Sequence, residues 1–435
     1  MKRRLMAFRV CCALGLSLAP ASAREVLPDL EVLFYDAGIW EKSVEEVLKE
    51  REVLGFEWLS RERNDARSSH RGLHLWRQPV GETILRSRDG RLRSLEVSLY
   101  NRGDMGPIPM EAFEKHRDGW RKRITGETGI EGELLKERQQ GSVVKAERWV
   151  WRTPGAYLLL TASVSGEDER RRPEFIKLSL ISAKEGGESI DRGLGLAADA
   201  KNRRDLRSNV VTSSNGDVRI DGVPMVDQGR KGYCAVASAE RVFRYYGMPI
   251  DQHAMAQIAQ SSAAGGTNPV RMIDALKRVT GQTRTRLHTH YEIDAGRYSS
   301  VVRAYNRLVE DVDPRFVFPR ESDPIPIQPF LAGCHGPTLS QAVAKGNRYD
   351  RFRGKIEEFV DNGVPLLWAL QVGVFPEPGI PQQGGGHMRL IIGYNTKTGE
   401  VLYTDSWGAG HELKRMKMTD AFAVTIQLIT IQPAL

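Results

Sequence analysis

The chain has 435 residues, with 63 Lys and Arg against 55 Asp and Glu, and 40% of its residues are hydrophobic. This composition is typical of a globular protein, and it excludes a collagen-like chain and wholesale disorder. Four cysteines in a chain of this length are too few for a disulfide scaffold.

The chain opens with a basic and then apolar segment. Three basic residues at positions 2–4 precede an apolar stretch at residues 5–18, and small residues lead up to Ala23. This pattern predicts a signal peptide, residues 1–23, that is cleaved after Ala23. A membrane anchor is the weaker interpretation, because Arg9 interrupts the stretch and the stretch is short for a bilayer. We therefore expect a secreted or periplasmic protein with no membrane segment after cleavage.

Cleavage would also change the charge and the cysteine content. It removes four basic residues and no acidic ones, which lowers the formal net charge from +8 to +4. A weakly positive chain with mixed charges lacks the electrostatic footprint of a nucleic-acid-binding protein, so we expect no nucleic-acid partner. Only Cys234 and Cys334 would remain. In an exported protein these two either form a disulfide or include a thiol that is kept free for a reason.

Residues 24–183 alternate helical and strand patterns. They contain six of the eight tryptophans, which is enough for a core of their own. Apolar spacing and a capping box at Ser43 predict a helix at residues 43–52, and a second helix is expected at residues 110–124. Strands are expected at residues 73–78, 82–87, 92–100, 143–151, 157–164 and 175–181. The pattern predicts an α+β domain of unknown function.

No metal spacing, phosphate loop or nucleophile set is recognisable in this first domain. Its tripeptide Arg102-Gly103-Asp104 matches an adhesion motif, but three common residues recur together by chance. Residues 184–218 shift towards Gly, Asp, Arg, Asn and Ser with little apolar periodicity, which predicts a linker. The chemistry is concentrated in residues 219–435.

Cys234 is expected at the start of a helix. Apolar residues recur at three- and four-residue steps from Val236 until Gly247, which predicts a helix that begins near the cysteine. The unpaired amides and the dipole at a helix start favour a thiolate. Gln228 lies six residues upstream on a glycine-bracketed loop, where its amide and the Cys234 backbone amide would form an oxyanion hole. Taken alone, Gln228 is better explained as a polar loop residue.

A predicted hairpin carries a histidine and a carboxylate. A glycine run leads into a strand that starts at His387, and after a turn at residues 395–399 the returning strand ends at Asp405. If Tyr394 faces Glu400, Asp405 is the diagonal neighbour of His387 on the same face, within about 8 Å at Cβ. A small bulge would bring the two side chains into hydrogen-bonding range.

The same register places Trp407 opposite His387 and Arg389 opposite Asp405. The indole of Trp407 would then cover the bond between His387 and Asp405 and strengthen it by excluding water. A lone histidine that enters a strand, or an aspartate that closes one, is more often structural. The combined pattern is rarer by chance, and it predicts a thiolate nucleophile with a base and an orienting carboxylate.

Residues 219–435 resemble a papain-like cysteine peptidase domain, in particular the bacterial type that processes bacteriocin leaders and uses aspartate in place of asparagine. Three short motifs carry the resemblance in the expected order: Gln228-Gly229 with Cys234, then His387, then Asp405-Ser406-Trp407-Gly408. The resemblance implies that Cys234 is the nucleophile, His387 the general base, Asp405 the orienting group and Gln228 the oxyanion donor. It also implies that neither a metal nor an organic cofactor is needed.

The resemblance implies a fold and a substrate as well. The fold class is α+β, with a papain-like peptidase fold preceded by the separate α+β domain. The substrate would be a polypeptide, held at Gly265 and Gly266, which resemble the glycine pair of the family's cleft, and at Trp407. Residues 282–348 match no motif of the family.

Other functions remain open at this stage. The same residue types serve cell-wall amide hydrolases and transglutaminase-like acyl transferases, and an inactive exported binding module is a third alternative. Peptidases of this fold often carry a preceding segment that blocks the cleft, so the first domain is a candidate intramolecular inhibitor. Partner recognition and simple stabilisation are the alternatives for that domain.

Overall fold

A computed structural model describes residues 28–88, 90–135, 146–165, 170–184, 186, 206–228, 233–248, 273, 276, 277, 280, 285–319, 325–344 and 346–433. The predicted signal peptide at residues 1–23 and the glycine pair Gly265 and Gly266 lie outside these residues. In the described ranges, no helix combines the length and the apolar character that crossing a bilayer requires.

The described residues contain both helices and strands in quantity. The α-helices are α1 (Glu31–Phe34), α2 (Val44–Glu50), α3 (Arg102–Met105), α4 (Met110–Thr128), α5 (Cys234–Tyr245), α6 (Ala295–Val309), α7 (Ile327–Gly333), α8 (Gly336–Val343), α9 (Asn347–Asp361) and α10 (Met418–Val424). Short 3-10 helices lie at Ile39–Glu41, Glu52–Leu54, Arg207–Asn209 and Pro314–Phe316.

The strands are β1 (Glu57–Trp58), β2 (Ala66–Ser68), β3 (His74–Leu75), β4 (Gln78–Pro79), β5 (Thr83–Arg88), β6 (Arg91–Asn101), β7 (Glu133–Leu134), β8 (Ala146–Arg152), β9 (Ala156–Ser165), β10 (Arg172–Ser182), β11 (Val210–Thr212), β12 (Asp217–Ile220), β13 (Thr285–Glu292), β14 (Leu366–Val372), β15 (Gly385–Asn395), β16 (Glu400–Thr404), β17 (Lys414–Lys417) and β18 (Thr425–Pro433). The α+β fold class is confirmed.

The first unit, residues 28–186 where described, is built on an antiparallel sheet in the order β1-β2-β5-β6-β10-β9-β8-β7. Its buried cluster includes Trp76, Trp120 and Trp151, as the tryptophan content predicts. Helix α2 begins with the predicted capping box, because Ser43 accepts from the Glu46 amide and the Glu46 carboxylate accepts from the Ser43 amide. Both orphan amides at this helix start are thereby satisfied.

The expectation of one strand at residues 73–78 is wrong. The segment forms β3 and β4 as a two-residue hairpin, with Trp76 and Arg77 at its tip in the left-handed region at φ 50° and 61°. The Asp29 carboxylate accepts hydrogen bonds from both tip amides, at 3.0 and 2.7 Å. The left-handed turn depends on this distant carboxylate, and local sequence carries no glycine or asparagine to predict it.

The second unit, residues 206–433 where described, has a sheet in the order β11-β12-β15-β14-β18-β13, with β16 paired to β15 and β17 to β16. Helices α5 and α9 pack on this sheet and contribute to its main buried cluster. Helices α6, α7 and α8 form a second cluster, with Tyr298, Tyr305 and Phe330 inside. These three helices lie within residues 282–348.

Strands β11 and β12 come from the segment that the sequence assigns to a linker. Strand β14 pairs with β15 up to Ile391, and β12 continues beside β15 from Gly393 to Asn395. The backbones of β12 and β15 lie so close that a Cβ on Gly393 would fall 2.6 Å from the Val218 carbonyl oxygen. A glycine is therefore required where this hairpin joins the sheet.

Helix α5 crosses the start of β15 and lies close to the end of β16. The Ser238 hydroxyl of the helix donates to the Met388 carbonyl of the strand at 3.2 Å. Every residue from Ala235 to Phe243 is buried, so the helix is enclosed on all sides, which is typical of a central helix. The fold thus brings the start of α5, the start of β15 and the end of β16 to one place.

Replacing Gly393 by alanine should lower the free energy of unfolding by about 2 kcal/mol, because the methyl group would collide with backbone that cannot easily move. Gly354→Ala is the matched control, since a Cβ there has open space within α9 and should be neutral or slightly stabilising. Urea denaturation of the two variants measures the difference. Equal midpoints would contradict the close pairing of β12 with β15.

Candidate active site

Cys234 is the first residue of α5, and it is partly exposed. Tyr233 occupies the N-cap without a side-chain cap, so the first amides of the helix are left to other acceptors. Burial of the Cys234 thiol opposes its ionisation. The hydrogen bond and charge of His387, with the backbone amides of Met388 and Ala235, outweigh that effect and lower the pKa of the thiol. The site therefore favours the ionised form of this thiol more than solvent does.

Both described cysteines are free, so the alternative of a disulfide between Cys234 and Cys334 does not hold in this structure. The Cys334 thiol donates to the Leu331 carbonyl at 3.2 Å. Burial raises the pKa of Cys334 to about 12, which keeps it protonated. Because the thiolate is the reactive form, Cys234 is the nucleophile candidate of the two.

His387 lies near the start of β15, where it pairs with Leu370 of β14. Its Nε2 atom hydrogen-bonds Asp405 Oδ1 at 2.7 Å, and both side chains are fully buried. The buried Nδ1 atom makes no hydrogen bond to a nitrogen or oxygen atom within the described part of the chain. With Nε2 held by Asp405, Nδ1 is the nitrogen left to exchange a proton with the Cys234 thiol.

The charge state of His387 follows from its neighbours. Burial lowers the pKa of the imidazole, but the Asp405 charge and hydrogen bond and the interaction with Cys234 raise it more, to about 9. At neutral pH the imidazolium is therefore the favoured form. A thiolate beside an imidazolium is the resting state that a cysteine nucleophile requires.

The hairpin that holds Asp405 has the expected register at the site and a different one at its turn. At the turn Asn395, not Tyr394, lies opposite Glu400. An irregularity between Ile391 and Gly393 shifts the pairing by one residue. This is a local bulge, a device that re-aims side chains.

Beyond the bulge, Leu390 faces Thr404, as the predicted register has it. This pairing leaves Arg389 opposite Asp405 and brings Asp405 beside His387. The structure therefore brings together the predicted base and the predicted orienting carboxylate.

Asp405 is a buried carboxylate with three donors. Besides His387, it accepts from Arg389 Nε at 2.6 Å and from the Ser406 amide at 2.8 Å. Burial opposes the ionisation of Asp405, but the charge and hydrogen bond of His387, the charge of Arg389 and the Ser406 amide lower its pKa below the usual range. The carboxylate therefore stays charged beside the imidazolium.

Arg389 extends this network away from the sulfur. Its Nη1 atom donates to Glu377 at 2.7 Å, and its guanidinium lies 4.6 Å from the Tyr403 ring centroid. Glu377, Arg389, Asp405, His387 and Cys234 thus form a row of alternating charges. Because each ion of the row lies beside an opposite charge, burial of the row is tolerated.

Arg241 is a second buried arginine that connects the helix to the carboxylate strand. Its three donors reach the Pro224 carbonyl at 2.8 Å, the Asp405 carbonyl at 2.8 Å and the Thr404 hydroxyl at 2.6 Å. Burial lowers the pKa of Arg241 to about 10, so it remains charged at neutral pH. No sequence motif points to a role for Arg241, and the predicted register gives Arg389 only its place opposite Asp405. The sequence signal for both residues was a cationic side chain inside an otherwise buried helix or strand.

Trp407 lies where the predicted register puts it. Its ring stacks on the His387 imidazole with the centroids 4.3 Å apart and the planes within 10°. The indole is itself partly exposed. It shields the face of the imidazole from solvent.

Gln228 is bonded to the residue that follows Asp405. The backbone amide of Gln228 donates to the Ser406 carbonyl at 2.8 Å, and the Ser406 hydroxyl donates to Gln228 Oε1 at 2.7 Å. With its oxygen held by Ser406, the side-chain amide turns its NH2 group away from that residue. Such a fixed donor can serve a developing oxyanion without reorganising.

Residues 220–316 match the family model described as the Peptidase_C39 like family. The match covers Gln228 and Cys234 and ends before His387 and Asp405. It confirms the resemblance of the second unit to papain-like cysteine peptidases and supports a cysteine peptidase-type domain. No curated protein matches the chain.

Replacing Asp405 by asparagine should remove the charge that raises the pKa of His387. The imidazolium persists below its pKa of about 9 and is lost above it, so its stabilisation of the Cys234 thiolate should extend up to about pH 9. In Asp405→Asn the imidazolium should be lost at a lower pH, so less of the thiol is ionised at pH 7 and iodoacetamide alkylation at pH 7 should slow about tenfold. Asp311→Asn, at an exposed position, is the control. An unchanged profile would disprove the role of the carboxylate.

Proposed function

We propose that this chain is an exported cysteine peptidase that hydrolyses peptide bonds through Cys234, His387 and Asp405. The observation that carries the proposal is the buried bond between His387 and Asp405 beside a thiol with lowered pKa at a helix start. Three segments far apart in sequence converge there. The family match at residues 220–316 supports a cysteine peptidase-type domain independently.

In the first half of the reaction, the Cys234 thiolate attacks the carbonyl carbon of the scissile bond and the π electrons move to oxygen. The side-chain NH2 group of Gln228 and the Cys234 backbone amide donate to that oxyanion. As the oxyanion collapses, the C–N bond breaks and the His387 imidazolium gives its proton to the leaving amine. A thioester between Cys234 and the substrate's acyl group remains.

In the second half, a water molecule attacks the thioester while neutral His387 accepts its proton. Collapse of the second oxyanion releases the carboxylic acid product and restores the Cys234 thiolate beside an imidazolium. Asp405 keeps the imidazole oriented throughout and stabilises its charged form. The chemistry therefore needs only groups that the chain supplies.

Exposure of the groups agrees with these roles. Cys234 is partly exposed, whereas the side chains of His387 and Asp405 are fully buried. Cys234 is therefore the most exposed of the three predicted catalytic residues. Trp407 is also partly exposed and is a candidate contact for the substrate chain, together with Gly265 and Gly266 outside the described residues.

The substrate class and the site of action complete the proposal. A polypeptide is the expected substrate, and export after cleavage at Ala23 places the enzyme in the periplasm or outside the cell. Incubation of the purified protein with denatured proteins and with peptidoglycan separates a peptidase from a cell-wall amide hydrolase. Peptide products that carry the amine of an added acyl acceptor would indicate acyl transfer instead.

Replacing Gln228 by alanine should lower kcat for a fluorogenic peptide by about 100- to 1,000-fold, because one oxyanion donor is lost. The rate of Cys234 alkylation should stay unchanged, since alkylation forms no oxyanion. Cys234→Ala should abolish both activities.

Two variants control for unspecific effects of these substitutions. Gln78→Ala changes an exposed glutamine of β4, and Cys334→Ala removes the other thiol; both should behave as wild type. Full peptide cleavage by Cys234→Ala would refute the proposed nucleophile.

A further inference from the structure

We propose that the first unit is a permanent part of the catalytic apparatus and positions Gln228 and Cys234. The inference rests on the proposed function. It concerns Asp227 and Tyr233, the residues that come directly before the oxyanion donor and the nucleophile. Each of these two residues is held by the first unit.

The first contact is an ion pair between Arg67 of β2 and Asp227. Arg67 Nη2 donates to Asp227 Oδ2 at 2.6 Å, and Nη1 lies 3.4 Å from the Asp227 carbonyl oxygen. The two side chains are only 17% and 13% exposed, so solvent screens the pair weakly. An anchored Asp227 fixes the backbone from which Gln228 projects.

Asp227 is confined on a second side by the turn after Trp407. Gly408 has a φ of 80°, and a Cβ on it would lie 2.6 Å from Asp227 Oδ2. Gln228 is bonded to Ser406 of the same segment. Asp227 is therefore enclosed between the first unit and the segment that holds Asp405, and its neighbour Gln228 is bonded to that segment.

The second contact is the insertion of Tyr233 against Gly103. The Tyr233 hydroxyl lies so close that a Cβ on Gly103 would be 1.7 Å away from it. Gly103 is buried and its amide is bonded to Asn101 Oδ1 at 2.8 Å, while Tyr233 is 2% exposed. The adhesion-like tripeptide that contains Gly103 therefore forms an internal socket for the residue next to Cys234.

Further contacts reach the outer face of α5 and the loop after Trp407. The Asp65 carboxylate of the first unit lies 3.2 Å from the guanidinium of Arg244 on α5. It also lies 2.9 Å from the guanidinium of Arg86, which belongs to the first unit. The Arg61 amide donates to the Glu412 carboxylate at 2.7 Å. The first unit thus contacts both helix α5 and the loop after Trp407.

The position of these contacts distinguishes support from inhibition. In the part of the chain that the structure describes, none of the hydrogen bonds or ion pairs from the first unit involves Cys234, His387 or Asp405. Cys234 remains partly exposed. An inhibitory segment would cover the sulfur, whereas these contacts hold the residues beside it.

The test is steady-state cleavage of a fluorogenic peptide by full-length Arg67 variants, together with the pH profile of Cys234 alkylation. Arg67→Ala should lower kcat about 10- to 100-fold through displacement of Gln228. KM and the alkylation profile should stay close to wild type, because the pair of Cys234 and His387 is not touched. If the substitution only destabilised the fold, both kcat and the rate of Cys234 alkylation would fall, because a smaller fraction of the protein would be folded.

Two rescue variants and one control sharpen the test. Arg67→Lys should restore part of kcat, and the exchange of charges in Arg67→Asp with Asp227→Arg should restore more than either single change. Arg91→Ala, which breaks an exposed ion pair with Glu41 inside the first unit, should leave kcat unchanged. Absence of rescue, or no loss of kcat in Arg67→Ala, would overturn the inference.

A second experiment does not depend on a folded Arg67 variant. A protease site inserted between residues 191 and 200 allows the full-length protein to be nicked without removing either unit. The fragments should co-elute, and the activity should equal that of the uncut protein. A gain of activity on nicking would identify the first unit as an inhibitor and overturn the inference. Loss of wild-type cleavage and of low-pH alkylation would instead reject the proposed function itself.

Discussion

The candidate active site is organised around the carboxylate of Asp405. It is fully buried, and a buried charge is tolerated only when its hydrogen bonds are complete. Its donors come from His387 and Arg389 on β15 and from the Ser406 amide. Satisfying this one group therefore requires the end of β16 to lie against the start of β15. The bulge near Ile391 aligns the two strands at that point.

From Asp405 the charges alternate in two directions. On one side lie His387 and the Cys234 sulfur, and on the other lie Arg389 and the partly exposed Glu377. The arrangement keeps the imidazolium stable without exposing the base to water. His387 and Arg389 keep Asp405 charged, and Asp405 in turn keeps the imidazole charged. The buried ion pairs thus contribute more to the ionisation of the Cys234 thiol than to the stability of the fold, since buried ion pairs stabilise a fold only weakly.

The start of α5 and the residues next to Gln228 and Cys234 are held from two sides. Arg241 ties the middle of α5 to Asp405 and Thr404 from the inside. Arg67 and Gly103 of the first unit meet the outside, at the residues before Gln228 and Cys234. Rigid support on both sides is what an oxyanion hole requires, since its donors act without reorganisation only if they are already in place. Contacts from both units therefore meet at the residues that flank Gln228 and Cys234.

Four features could be predicted from the sequence alone: the helix start at Cys234, the hairpin with His387 and Asp405, the stacking of Trp407, and the α+β class. Spacing and turn chemistry suffice for these, because they depend on neighbours along the chain. Other features became apparent only in the three-dimensional structure: the contacts of Arg241, Arg389 and Glu377, the left-handed turn at Trp76, and the packing of Tyr233 against Gly103. Each of these depends on a partner distant in sequence, and burial decides its energy. No local pattern carries that information.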